Sequence, residues 1–377
     1  MKWKFIATLF ILFSLWSSVI EAFPRFSAYT GDKCSDCHYN PSGGSIRNKY
    51  GIIFAKKFLG LEALKKYSVS ENFDPQITKN FSLGGDVRVV YSENQMANQS
   101  TQKQFLTMQG DLYLNAAVNK YIRIFIAPGI QIPSTPTKPE VYGMVLNLPV
   151  SFYVKIGRFV PNYGTRIPEH RAFQRADLLN APHSADAGLE IGFSPIPELD
   201  FSTGIFNGLR TQFFDADPKK MVVANSSFNT VISDNFNFCV SSFLYSNPFN
   251  YLDPVSGLLT DASNRAIGGS LRFGIFQKIA VIGEVNFVET RLVDVLTRSL
   301  YYYNEFNLML IKGLEVRYQF EYKDPNRDLS TDRLMRHSIG FSFFPLFGLE
   351  TETMLRFLID DRAENTNELQ VNFHFYF

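Results

Sequence analysis

From residue 81 onward, apolar and polar side chains alternate along the chain with a period of two. In the clearest segment, the apolar face holds Leu314, Val316, Tyr318, Phe320 and Tyr322. The opposite face holds Glu315, Arg317, Gln319 and Glu321. Successive residues of a strand point to opposite faces, so this pattern predicts a β-strand with one apolar face. Soluble sandwiches and membrane barrels both use such strands, and only the whole set of segments separates the two classes.

The alternating pattern predicts about sixteen strands. They cover residues 81–91, 105–118, 121–131, 141–148, 152–159, 188–193, 199–207, 222–232, 236–245, 266–276, 279–290, 301–311, 314–323, 334–344, 348–359 and 369–377. Most of them approach the ~9–11 residues that a tilted strand needs to cross a bilayer. An even number of strands of this length is typical of a bacterial outer-membrane barrel.

The predicted connections alternate between short and long. Short turns fall near 119–120, 234–235, 277–278 and 312–313, and long polar segments such as 161–187 and 324–333 lie between the short turns. Outer-membrane barrels have short periplasmic turns and longer external loops. The last strand carries alternating aromatic residues and ends at Phe377, which resembles the signal that barrel-assembly machinery reads. Residues 81–377 are therefore predicted to form a porin-like barrel that contacts outer-membrane lipid.

Composition and the first residues agree with this location. The chain has 37 Phe and 18 Tyr, and its net charge of +1 gives no reason to expect a nucleic-acid partner. Lys2 and Lys4 precede an apolar stretch from 5 to 20, and Glu21 and Ala22 follow it. This order predicts a cleaved signal peptide over 1–22. Beyond it, no segment approaches the ~20 apolar residues of a spanning helix. The expected location is the outer membrane of a bacterial cell.

The run Cys34-Ser35-Asp36-Cys37-His38 is the attachment signature of a c-type haem. In such sites two thiols form thioethers with the porphyrin, and the adjacent histidine ligates the iron. The alternatives to haem attachment are a redox dithiol and half of a zinc site. The chain has no second CxxC pair and no βαβ context for a thioredoxin-like site. We therefore predict one covalent haem c, with His38 as the proximal iron ligand.

The haem motif lies in a small helical module predicted over residues 23–73. An amphipathic helix is expected over 47–64, with its apolar residues facing the porphyrin or the barrel wall. About 50 residues bury little core on their own, so the cofactor and the barrel are expected to complete this core. The remaining cysteine, Cys239, is predicted to be an inert, pore-facing strand residue.

The second axial ligand of the iron is not set by the module, because 23–73 contains no Met and no second His. The long connection 161–187 contributes two candidates, His170 and His183, which could equally be solvated loop residues. In sixteen-stranded porins the loop at this position folds inward, and a similar role is implied here. Arg166, Arg171 and Arg175 would make such a constriction basic, which favours anions or haem propionates. His337 and His374 lie within strands and are expected to be structural.

The segments 23–27 and 30–38, followed by a barrel, resemble the fused monohaem cytochrome–porins of outer membranes, which include iron oxidases. The specific motif is confined to about 23–54. The resemblance implies that Cys34 and Cys37 attach the haem and that His38 ligates it. It also implies a cytochrome plug in a sixteen-stranded barrel, extracellular Fe(II) as reductant, and periplasmic cytochromes as electron acceptors. No catalytic residue is carried over.

The sequence thus favours an outer-membrane electron-transfer protein, with Fe(II) oxidase activity as one form of that role. Two alternatives stay open at this point. One is a diffusion porin whose haem-bearing N-terminal module is a plug or a sensor. The other is a barrel that sheathes a separate multihaem cytochrome as part of a conduit. Fe(II)-dependent haem reduction would support electron transfer, whereas steady single-channel conductance would support a porin.

Overall fold

The computed structural model describes residues 24–67, 74–96, 100–129, 139–179, 181, 184–208, 215, 217–254 and 257–377. The predicted signal peptide, 1–22, lies outside the described residues. Among those described, no helix has the length and apolar character needed to cross a membrane.

Most of the described chain is β-strand, as the alternation predicted. A short strand, β1, spans Gln76–Thr78. The sixteen strands of the barrel are β2 Phe81–Met96, β3 Gln102–Ala117, β4 Ile122–Ala127, β5 Glu140–Val145, β6 Tyr153–Phe159, β7 Asp186–Ile196, β8 Leu199–Phe206, β9 Met221–Ser233, β10 Phe236–Leu252, β11 Leu259–Ile275, β12 Ile279–Leu292, β13 Val295–Ile311, β14 Leu314–Asp324, β15 Leu334–Leu346, β16 Leu349–Asp360 and β17 Thr366–Tyr376.

Each barrel strand pairs antiparallel with the strand before it and the strand after it. The ring closes between the last strand and the first, with Val371 of β17 opposite Tyr91 of β2. Closure matters in lipid because an open sheet edge would leave backbone N–H and C=O groups without hydrogen bonds. The prediction of a closed antiparallel barrel with about sixteen strands is confirmed.

The barrel has polar side chains inside and apolar side chains outside. On β14, Glu315, Arg317 and Gln319 are buried, whereas Tyr318 is exposed. A soluble protein would bury the aromatic residues and expose the charged ones. The reverse arrangement suits a barrel whose outer face contacts hydrocarbon and whose lumen is polar.

Several strands are longer than the sequence predicted, chiefly at the ends with long loops. The predicted segment 301–311 is the end of a strand that begins at Val295, and 266–276 belongs to a strand that begins at Leu259. Backbone pairing continues past the bilayer into water, where a strand no longer needs an apolar face. The hydropathy pattern therefore marks the membrane band and not the end of the hydrogen-bonded ladder.

The N-terminal residues form short helical segments: α1 Pro24–Thr30, α2 Cys34–Cys37, α3 Lys49–Phe54, a π-helical turn Ala55–Leu59 and a 3-10 helix Glu62–Tyr67. The single helix predicted over 47–64 is therefore divided. Asn48 starts α3 by accepting a hydrogen bond from Gly51 N at 3.0 Å. Gly60 interrupts the helical run because its backbone is extended, with φ −64° and ψ 144°.

Residues 24–67, called the plug below, lie in the barrel lumen. Helix α1 packs against β10, β11 and β12. The chain then reaches the end of the barrel with short turns, where Leu61 N donates to Phe344 O at 3.0 Å and Lys312 Nζ lies 3.2 Å from Glu62. Short turns mark the periplasmic end in outer-membrane barrels. The plug therefore occupies the periplasmic part of the lumen.

Candidate functional site

A large cavity, about 1890 Å³ in volume, lies in the lumen beside the haem motif. The plug contributes Cys34 and His38 to its lining, and the barrel wall contributes Arg88 and Arg272. Residues of the short connections, including Pro197 and Asp234, line its periplasmic end. This lumen cavity exceeds the roughly 300–1,000 Å³ of ordinary small-molecule pockets.

The haem motif folds as a single helical turn. Asp36 Oδ2 accepts a hydrogen bond from Lys33 N at 2.9 Å, and His38 N donates to Cys34 O at 3.2 Å. His38 then leaves the turn with extended backbone and forms a β-bridge with Arg47. The two cysteines lie three residues apart at the two ends of this turn, which is the spacing of the haem-attachment motif.

The cavity in which a haem could lie is lined by two of the three residues that define the motif. The side chains of Cys34 and His38 line the cavity. Cys37 is only 1% exposed and does not line it. None of the three described cysteines is in a disulfide. Cys34 therefore faces the cavity, whereas Cys37 is buried one helical turn away.

Cys34 lies against a glycine turn and a barrel arginine. Gly43 has φ +78°, and a Cβ there would lie 3.2 Å from Cys34 Sγ, so the turn needs glycine for both backbone and space. Burial raises the pKa of the Cys34 thiol, while Arg272 acts in the opposite direction. Arg272 Nη2 also lies 3.0 Å from the Sγ of Cys239, which is buried and lines the same cavity.

The described residues of the connection between β6 and β7, 160–179, 181 and 184–185, are called the inward loop because they cross the lumen. Tyr163 Oη donates to Asn286 Oδ1 at 2.7 Å, and Thr165 N donates to Glu284 Oε2 at 2.7 Å. Farther along the loop, Glu169 forms an ion pair with Arg356 of β16. The prediction that this loop folds inward is confirmed.

The three loop arginines do not form one cluster as predicted. Arg166 and Arg175 line the lumen cavity, together with Arg88 of β2. Arg171 does not line this cavity; its Nη1 lies 2.9 Å from Glu368 Oε1 of β17. The prediction that Arg171 belongs to the cluster is wrong, because the irregular backbone between 166 and 175 turns the side chains in different directions.

Of the two predicted distal ligands, His170 lines the lumen cavity and His183 lies outside the described residues. The Nδ1 atom of His170 is buried and has no hydrogen-bond partner among the described residues. Burial lowers the pKa of His170 well below its usual range, and the Arg175 and Arg88 guanidiniums lower it further. The imidazole is therefore neutral at pH 7, the form that can ligate a metal.

The two strand histidines have structural contacts. His337 Nδ1 lies 2.8 Å from the Tyr318 hydroxyl on the outer face. His374 is buried in the lumen between Asp86, at 2.9 Å, and Glu350, at 3.0 Å. Glu350 also pairs with Arg25 of the plug. The histidine thus belongs to a line of charged groups that joins the barrel wall to the plug.

The sequence analysis did not identify three arginines of the site. Arg25 holds the plug in the lumen, and Arg88 and Arg272 line the cavity. For Arg88 a signal was present: Asp86 and Arg88 are the polar members of an alternating strand segment, so they had to face the lumen. The contacts between lumenal residues and the plug join positions far apart in the sequence. The alternation within a single strand therefore does not predict these contacts.

The comparisons with known proteins agree with this architecture. No protein-family model and no curated protein matches the chain. Among solved structures, an anion-selective porin from Comamonas acidovorans superposes with a TM-score of 0.58 at 12% identity, covering 79% of this chain and 99% of that one. OprB of Pseudomonas putida superposes with a TM-score of 0.59 at 10% sequence identity, covering 80% of this chain and 95% of OprB. OmpT of Vibrio cholerae superposes with a TM-score of 0.56 at 7% sequence identity, covering 81% of this chain and 100% of OmpT.

These comparisons define the class as a barrel with the outer-membrane porin fold. With the apolar outer face described above, the fold places the chain in the bacterial outer membrane. What distinguishes it from a plain barrel is the N-terminal plug and the haem motif beside the lumen cavity.

Proposed function

We propose that this chain is an outer-membrane electron-transfer protein with one c-type haem in its lumen. Cys34 and Cys37 would attach the haem, and His38 would ligate its iron. Electrons would come from an extracellular donor, with Fe(II) as the candidate substrate, and would leave to periplasmic cytochromes. One observation carries the proposal: Cys34 and His38 of the attachment motif line a lumenal cavity inside a membrane barrel.

The haem, when bound, supplies a one-electron redox couple whose potential depends on axial ligands and nearby charges. The chain's own residues hold its site rigidly. Arg25 joins the plug to Glu315 at 3.1 Å and to Glu350 at 2.6 Å, and Lys33 joins it to Asp200 at 2.8 Å. These pairs connect the plug to both halves of the wall, so the motif keeps a fixed position relative to the membrane.

The position of the cavity suits electron delivery to the periplasm. Its lining includes residues of the short connections, among them Val150, Pro197 and Asp234. A soluble carrier on that side can approach the cavity without entering the barrel. The inward loop lies across the lumen beside the cavity and is anchored to β12 by Tyr163 and Thr165.

The test is a combined mass and redox measurement on the mature protein. We expect intact-protein mass spectrometry to show one added haem. We also expect the haem spectrum to change to the reduced form when Fe(II) is added outside proteoliposomes. A mature protein without the added mass would overturn the proposal, and reduction by dithionite but not by Fe(II) would exclude Fe(II) as the donor.

A second function, diffusion of solutes past the plug, is favoured by the fold comparisons, since the matched structures include porins. Planar-bilayer recording separates it from electron transfer. A diffusion porin gives steady channels with the plug in place, whereas a plugged electron-transfer barrel gives channels only after the plug is displaced.

A further inference from the structure

Two arginines at the inner end of the lumen cavity lack carboxylate partners. Arg166 donates Nη1 to Gly43 O at 3.0 Å and Nη2 to Val160 O at 2.8 Å, and Arg175 donates Nη1 to Ile167 O. The Nε atoms of both are buried without a hydrogen-bond partner in the described part of the chain. No ion pair within 4.0 Å between described residues includes either arginine.

Other buried arginines of the lumen are paired differently. Arg25 and Arg356 each contact at least one glutamate. A half-buried guanidinium without an anion is less favourable than a paired one, because backbone carbonyls replace only part of its hydration and none of the missing negative charge. The pair formed by Arg166 and Arg175, called the arginine pair, therefore has the composition of a site whose anion comes from a ligand.

The neighbouring charges leave the arginine pair with excess positive charge. Arg88 lies beside it, and Asp86, the carboxylate next to Arg88, is also bound by His374. Glu140 lines the cavity but forms no ion pair among the described contacts. Burial, followed by Arg88 and Arg166, lowers the pKa of Arg175 to about 9, although Glu169 and Asp86 act in the opposite direction. A bound anion would remove this destabilisation.

The arginine pair is connected to the haem motif by one turn. A Cβ added at Gly44 would lie 3.1 Å from Arg166 Nη1, and a Cβ added at Gly43 would lie 3.2 Å from Cys34 Sγ. Two adjacent glycines thus separate the thiol from the guanidinium without filling the space between them. A ligand attached at Cys34 can extend over this turn and reach Arg166.

We propose that the arginine pair binds the propionate carboxylates of the haem. The inference rests on the proposed function, because that function supplies the ligand. Arginine forms bidentate, charge-assisted hydrogen bonds with carboxylates, and a haem carries its two carboxylates on one edge. The lack of an ion pair at either arginine among the described residues, the excess positive charge and the route past Gly43 all match such a ligand.

The first test uses the holoprotein and its midpoint potential. Arginines near a haem favour the reduced form, which carries one positive charge less. In the double variant Arg166→Gln, Arg175→Gln we expect the ratio of oxidised to reduced haem at a fixed potential to rise about tenfold, a lowering of about 59 mV for one electron. Arg171→Gln removes a charge from the same loop outside the cavity and should shift the ratio less than twofold. Equal shifts in both variants would overturn the proposal.

The second test needs no covalent haem and so separates the two proposals. In Cys34→Ala, Cys37→Ala protein, metal-free protoporphyrin IX should bind at least tenfold tighter than its dimethyl ester, and the two Arg→Gln changes should abolish the difference. If wild-type protein lacks covalent haem but this preference persists, the proposed function fails and the carboxylate site stands. If haem is attached but neither test responds to the arginine changes, only this inference fails. Binding of acetate without a diacid preference would also overturn it, by pointing to free anions.

The folding control is heat-modifiable migration of each variant in electrophoresis.

Arg175→Lys supplies a second variant, because it keeps the positive charge but loses the planar guanidinium that forms two parallel hydrogen bonds. Diacid binding that is weaker than wild type but stronger than in Arg175→Gln supports the pair. Binding in Arg175→Lys no better than in Arg175→Gln, with the barrel intact, shows that charge plays no part and contradicts the proposal.

Discussion

Arg25 of the plug donates Nη2 to Glu350 Oε1 of β16 at 2.6 Å, although the two residues are 325 positions apart. Both side chains are almost fully buried. Arg25 also lies 3.1 Å from Glu315. One guanidinium thus links the start of the plug to two strands of the wall, and it holds α1 in the lumen.

Replacing Arg25 should release the plug. In Arg25→Met two buried glutamates lose their cation, and removing one partner of a buried ion pair costs about 3–5 kcal/mol. We expect faster proteolytic cleavage within 24–67 and new channel openings in bilayers. Arg25→Met combined with Glu315→Gln and Glu350→Gln should regain much of the protection, since no unpaired charge remains. Equal protease resistance in Arg25→Met and wild type would show that the ion pairs do not hold the plug.

A close backbone approach between plug and wall gives an independent test of docking. A Cβ added at Gly274 of β11 would lie 1.7 Å from Ala28 O of α1. Gly274→Ala therefore requires α1 to move, and we expect a plug that is cleaved faster by protease while the barrel stays heat-modifiable. Gly143→Ala is the matched control, because a Cβ there meets nothing within 4 Å. Similar cleavage rates for the two variants would contradict this position of α1.

The cysteines should differ in their effect on haem attachment. Cys34→Ala with Cys37→Ala should abolish the haem mass in mass spectrometry, because both thioether positions are lost. Cys239→Ala should retain it, since Cys239 lies on a barrel strand outside the motif. Covalent haem in the double variant would refute the assignment of Cys34 and Cys37.

Acid should weaken the anchor of the inward loop. Burial alone would raise the pKa of Glu169, but the Arg356, Arg171 and Arg336 guanidiniums outweigh it and hold the pKa well below its usual value of 4.5. A carboxylate with a lowered folded pKa stabilises the fold fully above its unfolded pKa, and the contribution disappears as the pH falls through the folded value.

The wild-type loop should therefore resist proteolysis equally from pH 8 to about pH 5 and lose resistance only in stronger acid. Glu169→Gln should be cleaved faster across that whole range, because it lacks the charge at every pH. Asn365→Asp changes an exposed polar residue elsewhere and serves as a control. A wild-type loop that already loosens between pH 8 and pH 6 would contradict the lowered pKa.

The sequence predicted those features that repeat locally. The alternation in 314–322 predicted which residues face the lumen. The ends of strands such as β13 were not predictable, because pairing continues where hydropathy no longer alternates. The direction of Arg171 was not predictable either, because a loop has no period.

The plug contacts were beyond sequence reasoning for a different reason. The Arg25–Glu350 pair depends on how a sixteen-stranded ring places β16 next to the start of the chain. Nothing near Arg25 in sequence indicates its partner. The predicted helix over 47–64 likewise contained no signal that its second turn would widen into the π-helical segment Ala55–Leu59.

The charged groups that begin at Arg25 continue through Glu350, His374 and Asp86, and so pass from β16 to β17 and on to β2. That path crosses the junction where the ring closes. The contacts that hold the plug therefore also link the first and last strands of the ring. A chain whose amino end is misplaced would lack these contacts, and we expect the seam between its first and last strands to open more easily.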